Sequence, residues 1–164
     1  MNRRYTREQY LSLVEKIRAK IKDVSLSTDI LVGFPGETNE DFEQTLSLMK
    51  EVCYDTAYMY YYNPREGTVA STMPNQIPVE EKKARVDKVI KLQLEITREQ
   101  LKKRIGKTVQ VLVEATSRDN KNELLARTER DERVVFEGNE NLIGSFQTVK
   151  IEELNGNTFR AKLC

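Results

Sequence analysis

Leu26-Ser27-Thr28-Asp29-Ile30-Leu31-Val32-Gly33-Phe34-Pro35-Gly36-Glu37-Thr38 decides how the first two-thirds of the chain is read. Its first half is a short apolar run carrying β-branched Ile30 and Val32, which suits a strand buried in a parallel sheet. The run breaks at Gly33-Phe34-Pro35-Gly36, where two glycines open backbone angles closed to other residues and Pro35 has no N–H to donate. Thr38 then offers an N-cap oxygen, with Glu40 and Asp41 in the first helical turn. Strand, glycine turn and capped helix make a βα loop, where parallel α/β folds place their ligand sites. A tight connector that binds nothing is the plainer reading of the same residues.

Working outward, Thr6-Arg7-Glu8-Gln9 is a capping box, and Tyr10, Val14, Ile17 and Ile21 follow at helical spacing. Phe42, Leu46, Met49 and Cys53 form the stripe of a second helix, which reads Cys53 as a buried structural thiol. Tyr54–Tyr62 is a tyrosine-rich strand with its aromatics mostly in the core; a tyrosine near its end is also placed to stack a planar ligand. Two αβ units in succession imply a parallel sheet with helices packed on it. Residues 69–77 are irregular. Pro78 suits the first position of a helix running to Ile105, with Val86, Ile90, Leu94, Leu101 and Ile105 as its apolar side and Gly106 as its stop. That helix carries nine Lys or Arg against five acids, an excess that can face either phosphate or water.

After Gly106 the period turns from helical to alternating. Thr108–Glu114, Leu124–Thr128, Val134–Phe136, Gln147–Glu153 and Thr158–Leu163 are five short strands, the pattern of a small β-barrel. The expected organisation is therefore residues 1–77 as an α/β portion, 78–105 as a connecting helix and 106–164 as the barrel. The barrel holds nine bases and ten acids, and the whole chain has a net charge of +1. Bulk charge thus does not make it a nucleic-acid binder. A local basic face would be needed, such as Arg127, Arg130 and Arg133 between two strands, with Lys107 and Arg160 as further candidates.

Charged residues are 32% and hydrophobic residues 38% of the 164, a composition for a packed, highly charged domain or two small ones. No apolar run nears a membrane span and no signal-peptide pattern opens the chain, so the expected compartment is the cytoplasm, with no membrane partner. Two distant cysteines and no histidine give neither a disulfide framework nor a metal site.

Met1-Asn2-Arg3-Arg4-Tyr5-Thr6, the run Ser27–Thr38, Asn63-Pro64-Arg65-Glu66-Gly67-Thr68 and Met73-Pro74 together resemble the tRNA methylthiotransferases of the MiaB type, a radical-SAM family. Arg127-Thr128, Val134-Val135-Phe136 and Leu142-Ile143-Gly144 resemble their C-terminal TRAM domain. The resemblance implies the last strands and helices of a radical-SAM (β/α) barrel followed by an OB-like barrel. It implies S-adenosylmethionine and two 4Fe–4S clusters in the parent, which adds a methylthio group to the isopentenyl-modified adenosine beside the tRNA anticodon. None of the six cluster cysteines of that family is in this chain, so a C-terminal fragment, inactive by itself, is expected. By the same resemblance Ser27, Asp29, Gly33, Phe34, Pro35, Gly36 and Glu37 wall the S-adenosylmethionine pocket, and Arg65 and the tyrosine strand face the barrel interior or the substrate. Asp29 stands where the common motif has glycine, and Glu37 falls one place late. The tRNA anticodon stem-loop is the implied partner, and an incomplete sheet with an open edge implies self-association. The sister enzymes that methylthiolate an aspartate of a ribosomal protein, and a non-enzymatic RNA-binding module, are the alternatives.

Overall fold

The computed structural model describes residues 4–118 and 120–164, which divide into two compact units, one up to Thr97 and one from Arg98 to Cys164. The Met1–Arg3 part of the first motif lies outside the described residues. The division falls within the long helix, eight residues before the Gly106 boundary read from the sequence. The reason is packing: the helix buries side chains in the first unit as far as Ile96, whereas Leu101 lies against the barrel core.

The first unit comprises α1 (Arg7–Lys20), β1 (Ser27–Val32), α2 (Asn39–Val52), β2 (Thr56–Tyr61), the short α3 (Val69–Thr72) and most of α4 (Val79–Lys102). Thr6 and Gln9 close a capping box on α1, and Thr38 and Asp41 close another on α2, each satisfying donors that a helix start leaves orphaned. β1 and β2 pair in parallel, Ser27 opposite Thr56 through Val32 opposite Tyr61. Their alternation decides what is buried. Ile30, Val32 and Ala57 join Val14, Phe42, Met49, Val52, Val89 and Ile96 from the helices in one core. Ser27, Asp29, Tyr58 and Tyr60 sit on the opposite face, exposed.

Several sequence expectations change here. Ile21 is the C-cap of α1 and is exposed, because its backbone has already left the helix for an extended conformation. Cys53 is the left-handed C-cap of α2, half-buried, its Sγ donating to the Lys50 carbonyl. Tyr58, Tyr60 and Tyr61 are exposed, while Tyr54, which precedes β2, is buried and donates to the Tyr10 hydroxyl at 2.7 Å. Burial first, then that hydrogen bond, push the Tyr54 phenol above its ordinary range. Residues 69–72 are helical rather than irregular. The buried stripe of α4 is Lys82, Arg85, Val89, Gln93 and Ile96, with Ile90 and Leu94 exposed. With Lys82, Arg85 and Arg104 buried, six of the nine bases in that stretch remain at the surface against five acids.

The second unit is a closed five-stranded barrel in the order β3-β4-β5-β7-β6, from β3 (Thr108–Thr116), β4 (Glu123–Thr128), β5 (Arg133–Glu137), β6 (Phe146–Asn155) and β7 (Thr158–Leu163). All neighbours are antiparallel except β5 and β7. Register shifts at Val113/Ala115 and Ile151/Glu153 bend the two long strands, as closure of so small a barrel requires. Val111, Val113, Leu124, Ala126, Val134, Phe136, Val149, Ile151 and Phe159 fill it. Each of the two phenylalanines contributes about 1.5–3 kcal/mol by burial. Among the described residues no helix is long and apolar enough to cross a membrane.

Candidate functional site

The C-terminal ends of the two parallel strands open onto the loops Gly33–Thr38 and Asn63–Thr68, and the first is held tightly. Gly33 turns the chain at φ +74°. Its N–H donates to Glu37 Oε2 at 2.8 Å, and Glu37 N–H donates to the Phe34 carbonyl at 2.9 Å. Glu37 Oε1 meets Arg85 Nη1 at 2.6 Å. Arg85, 5% exposed, also binds the Glu37 carbonyl, Asn39 Oδ1 and Glu81 Oε1 and lies over the Phe42 ring. The Gly36 N–H donates to the Asn75 carbonyl at 3.0 Å. The loop is thus fixed by the α4 helix behind it, and the Glu37 carboxylate is fully engaged inside the protein.

Lys82 closes the other side. A Cβ on Gly33 would stand 2.6 Å from Lys82 Cγ, so glycine here admits the lysine stem. The ammonium lies 5.1 Å from the Tyr62 ring centroid, and Phe34 meets that ring edge-on at 5.2 Å. The buried Tyr62 hydroxyl has no hydrogen-bond partner among the described residues. Pro35 is buried and Gly36 exposed. Tyr62 closes the tyrosine strand read as mostly core, whereas Lys82 and Arg85 were not singled out from the sequence. The available signal was their spacing: positions 82, 85, 89, 93 and 96 recur at helical period, with apolar Val89 and Ile96 marking the buried side.

Ser27 and Asp29 stand apart from this bracket. They present side chains on the uncovered face of β1, where Tyr58 and Tyr60 flank them across the register. A cleft of about 570 Å³, lined by Tyr5, Tyr10, Thr28, Asp29, Leu48 and Tyr60 among others, runs beside β1. The seven loop and strand candidates therefore divide into a frame (Gly33–Glu37) and a free polar face (Ser27, Asp29). Arg65 is exposed in the loop after β2, which ends in the Thr68 hydroxyl donating to the Arg65 carbonyl.

An iron–sulfur cluster needs several thiolates converging on it. Cys53 caps α2 in one unit and Cys164 is exposed at the end of the other. Among the described residues no set of three or more His, Cys, Asp or Glu is arranged for a metal ion. The donor set of this chain does not fit a cluster, whose thiolates would have to come from elsewhere.

In the barrel, two arginines of the turn, Arg127 and Arg130, have carboxylates beside them. Arg127 meets Glu114 at 3.2 Å and Asp131 at 2.5 Å, which raise its pKa, the Asp131 hydrogen bond foremost. Arg130 Nε lies 3.3 Å and buried Arg104 Nε 3.1 Å from the same Glu132 Oε1. Thr128 Oγ1 donates to the other Glu132 oxygen at 2.9 Å. Arg160 meets buried Glu123 at 3.0 Å. Lys107 and Arg133 are exposed.

Residues 1–49 match the model of the radical SAM superfamily, and residues 102–164 match that of the TRAM domain. The chain is 54% identical over 165 aligned residues to a tRNA-2-methylthio-N(6)-dimethylallyladenosine synthase of Treponema pallidum, covering 99% of this chain and 36% of the relative. The protein of that name from Treponema denticola is 50% identical, with 99% and 37% covered, and that from Carboxydothermus hydrogenoformans 52% identical, with 93% and 35% covered. Along almost its whole length the chain is thus similar to these tRNA-modifying relatives, with a radical-SAM segment first and a TRAM domain last. It spans about a third of the length of the curated relatives it matches. Among solved structures, the apo form of Mycoplasma genitalium RNase R aligns at a TM-score of 0.33 and 15% identity over 56% of this chain and 21% of that one, too slight a likeness to bear on the fold.

Proposed function

We propose that this chain is part of a tRNA-2-methylthio-N6-dimethylallyladenosine synthase, supplying one wall of the S-adenosylmethionine pocket and an RNA-binding barrel. The observation that carries the reading is the division of the glycine-loop region. A rigid frame, clamped by Arg85 and Lys82, sits at the ligand end of a parallel sheet. Beside it, Asp29, Ser27, Tyr58 and Tyr60 form an uncovered face with hydroxyls, a carboxylate and two aromatic rings. Asp29 and Ser27 suit the hydroxyls of a ribose, and an exposed tyrosine suits the plane of an adenine. The backbone of Gly33–Gly36 completes the wall, with Phe34 and Pro35 behind it and Glu37 holding the turn. S-adenosylmethionine held here would supply the radical chemistry of the reaction, its reducing electron coming from outside this chain. This chain's residues orient the cofactor and hold the RNA. The clusters sit on cysteines outside it.

The open edge of β1 is available for pairing, and self-association of the isolated chain through it is part of the proposal. The test of function is a chimera in which this chain replaces the matching segment of the Treponema pallidum relative, expressed in cells lacking their own synthase. Nucleoside mass spectrometry should find 2-methylthio-modified isopentenyladenosine in the tRNA. A folded, cluster-loaded chimera that leaves tRNA unmodified, or that methylthiolates a ribosomal-protein aspartate instead, overturns it.

A further inference from the structure

Four strands of the barrel share an outward face that carries Arg127, Lys150 and Lys162, bordered by Glu114, Glu129 and Asp131 at one margin and by Glu152 and Glu153 near Lys162 at the other. The register places Arg127, Leu112 and Phe146 side by side across β4, β3 and β6, Gln110 beside Thr148 one row on, and Thr108, Lys150 and Lys162 in a third row reaching β7. Their odd-and-even neighbours Val111, Val149 and Ala126 point into the core, which fixes this set on the outside. Phe146 is 65% exposed and Leu112 36%. Exposing a phenylalanine at the start of a strand is costly for a small domain that needs its apolar side chains in the core. A shallow cleft of about 320 Å³ opens beside the ring, lined by Gln110, Leu112, Arg127 and Glu129 among others.

The cations of this face differ from those of the arginine turn. Arg127 is neutralised by Glu114 and Asp131 at the margin, whereas Lys150, Lys162 and neighbouring Lys107 are exposed and have no carboxylate partner among the described residues. Phe146 and Lys150 are four residues apart on one strand, roughly 14 Å at about 3.4 Å per residue. A flat ring, polar groups able to reach base edges, and a pair of lysines further along match a stretch of unpaired nucleotides: base on the aromatic, phosphates on the lysines. A duplex conceals the base faces that the ring would stack against.

We infer that the β3–β6–β7 face, with Phe146 as stacking platform and Lys150 and Lys162 as phosphate contacts, is where this chain holds single-stranded RNA. The inference rests on the reading of the barrel as RNA-binding given above and assigns its location. The test uses the full chain, with a dye-labelled RNA hairpin bearing an open loop and a fully paired RNA duplex as probes, followed by fluorescence anisotropy across salt concentration. Phe146→Ala should weaken loop binding about tenfold or more, and Phe146→Tyr should restore it. Lys150→Gln with Lys162→Gln should flatten the log–log salt slope by about 1.4, near 0.7 per lost single-strand contact. All three positions are exposed, so thermal melting should be unchanged. Hairpin binding indifferent to Phe146→Ala and to the lysine pair overturns this inference alone. No binding of either probe by the unaltered chain at low salt overturns the RNA reading beneath it as well.

Discussion

Replacing Glu37 by Ala should destabilise the first unit selectively. The carboxylate accepts the Gly33 N–H at 2.8 Å and meets Arg85 at 2.6 Å. Its side chain is 12% exposed and that of Arg85 6%. Removing it strands a buried guanidinium on Asn39 and Glu81, the latter 46% exposed. Breaking one side of a buried pair costs about 3–5 kcal/mol. The surviving Glu81 contact argues for the lower end, near 3 kcal/mol. With a urea dependence of about 2 kcal/mol/M, the midpoint should fall by roughly 1.5 M. The assay is urea unfolding of the full chain followed by circular dichroism, with the barrel transition as an internal reference. Glu37→Ala combined with Arg85→Met should recover much of the loss, because the uncompensated charge is gone. A midpoint shift below about 0.3 M for Glu37→Ala would refute the claim that this pair clamps the loop.

Other expectations follow from the same structure. Gly33→Ala should cost at least about 1–2 kcal/mol for the left-handed backbone, and more for the contact with Lys82, read as a lower melting temperature of the first unit. Glu132→Ala, which removes the carboxylate shared by Arg104, Arg130 and the Thr128 hydroxyl, should lower the barrel's urea midpoint while leaving the first unit's unchanged. The Asp41 carboxyl is held below the usual carboxylate range by the Thr38 backbone N–H first and its hydroxyl second. Its stabilisation is therefore present above the unfolded pKa of about 3.9 and is lost as pH falls through the depressed value. The acid limb of a stability–pH profile should move up in Thr38→Ala. In sedimentation, the isolated chain should associate with rising concentration, and hydrogen exchange should slow along Val24–Val32 in the associated form; a strict monomer would exclude pairing at the β1 edge.

The elements that local chemistry specifies were legible. Both capping boxes rest on side-chain-to-backbone bonds between residues three apart, and the β-barrel strands show their own alternation. The buried side of α4 was hidden because two of its five buried positions are cations and a third is Gln93. Arg85 is held by Glu37 and Glu81, Gln93 by the Tyr54 carbonyl, and Lys82 lies between Gly33 and the Tyr62 ring, neighbours distant in sequence or, for Glu81, ambiguous without a structure. The tyrosine strand read as core because tyrosine suits both a buried and a half-exposed sheet, and only the parallel register shows Tyr58 and Tyr60 on the uncovered face. The arginine turn had the composition of a phosphate site. Arg127 and Arg130 pair with Glu114, Asp131 and Glu132, two of which lie within the same turn, while Arg133 is exposed. Phe146 carried no signal at all, since a phenylalanine opening a strand is ordinarily a core residue.

The proposed division of labour at the glycine loop, with Asp29 contacting S-adenosylmethionine and Glu37 holding the frame, is tested most directly by S-adenosylmethionine affinity in the cluster-loaded chimera. Asp29→Ala should weaken binding by about tenfold or more, the worth of a hydrogen bond to a charged group, without moving the unfolding midpoint. Glu37→Gln should lower the midpoint while the folded protein keeps its affinity. The opposite pattern, affinity lost with Glu37→Gln and kept with Asp29→Ala, would contradict the account.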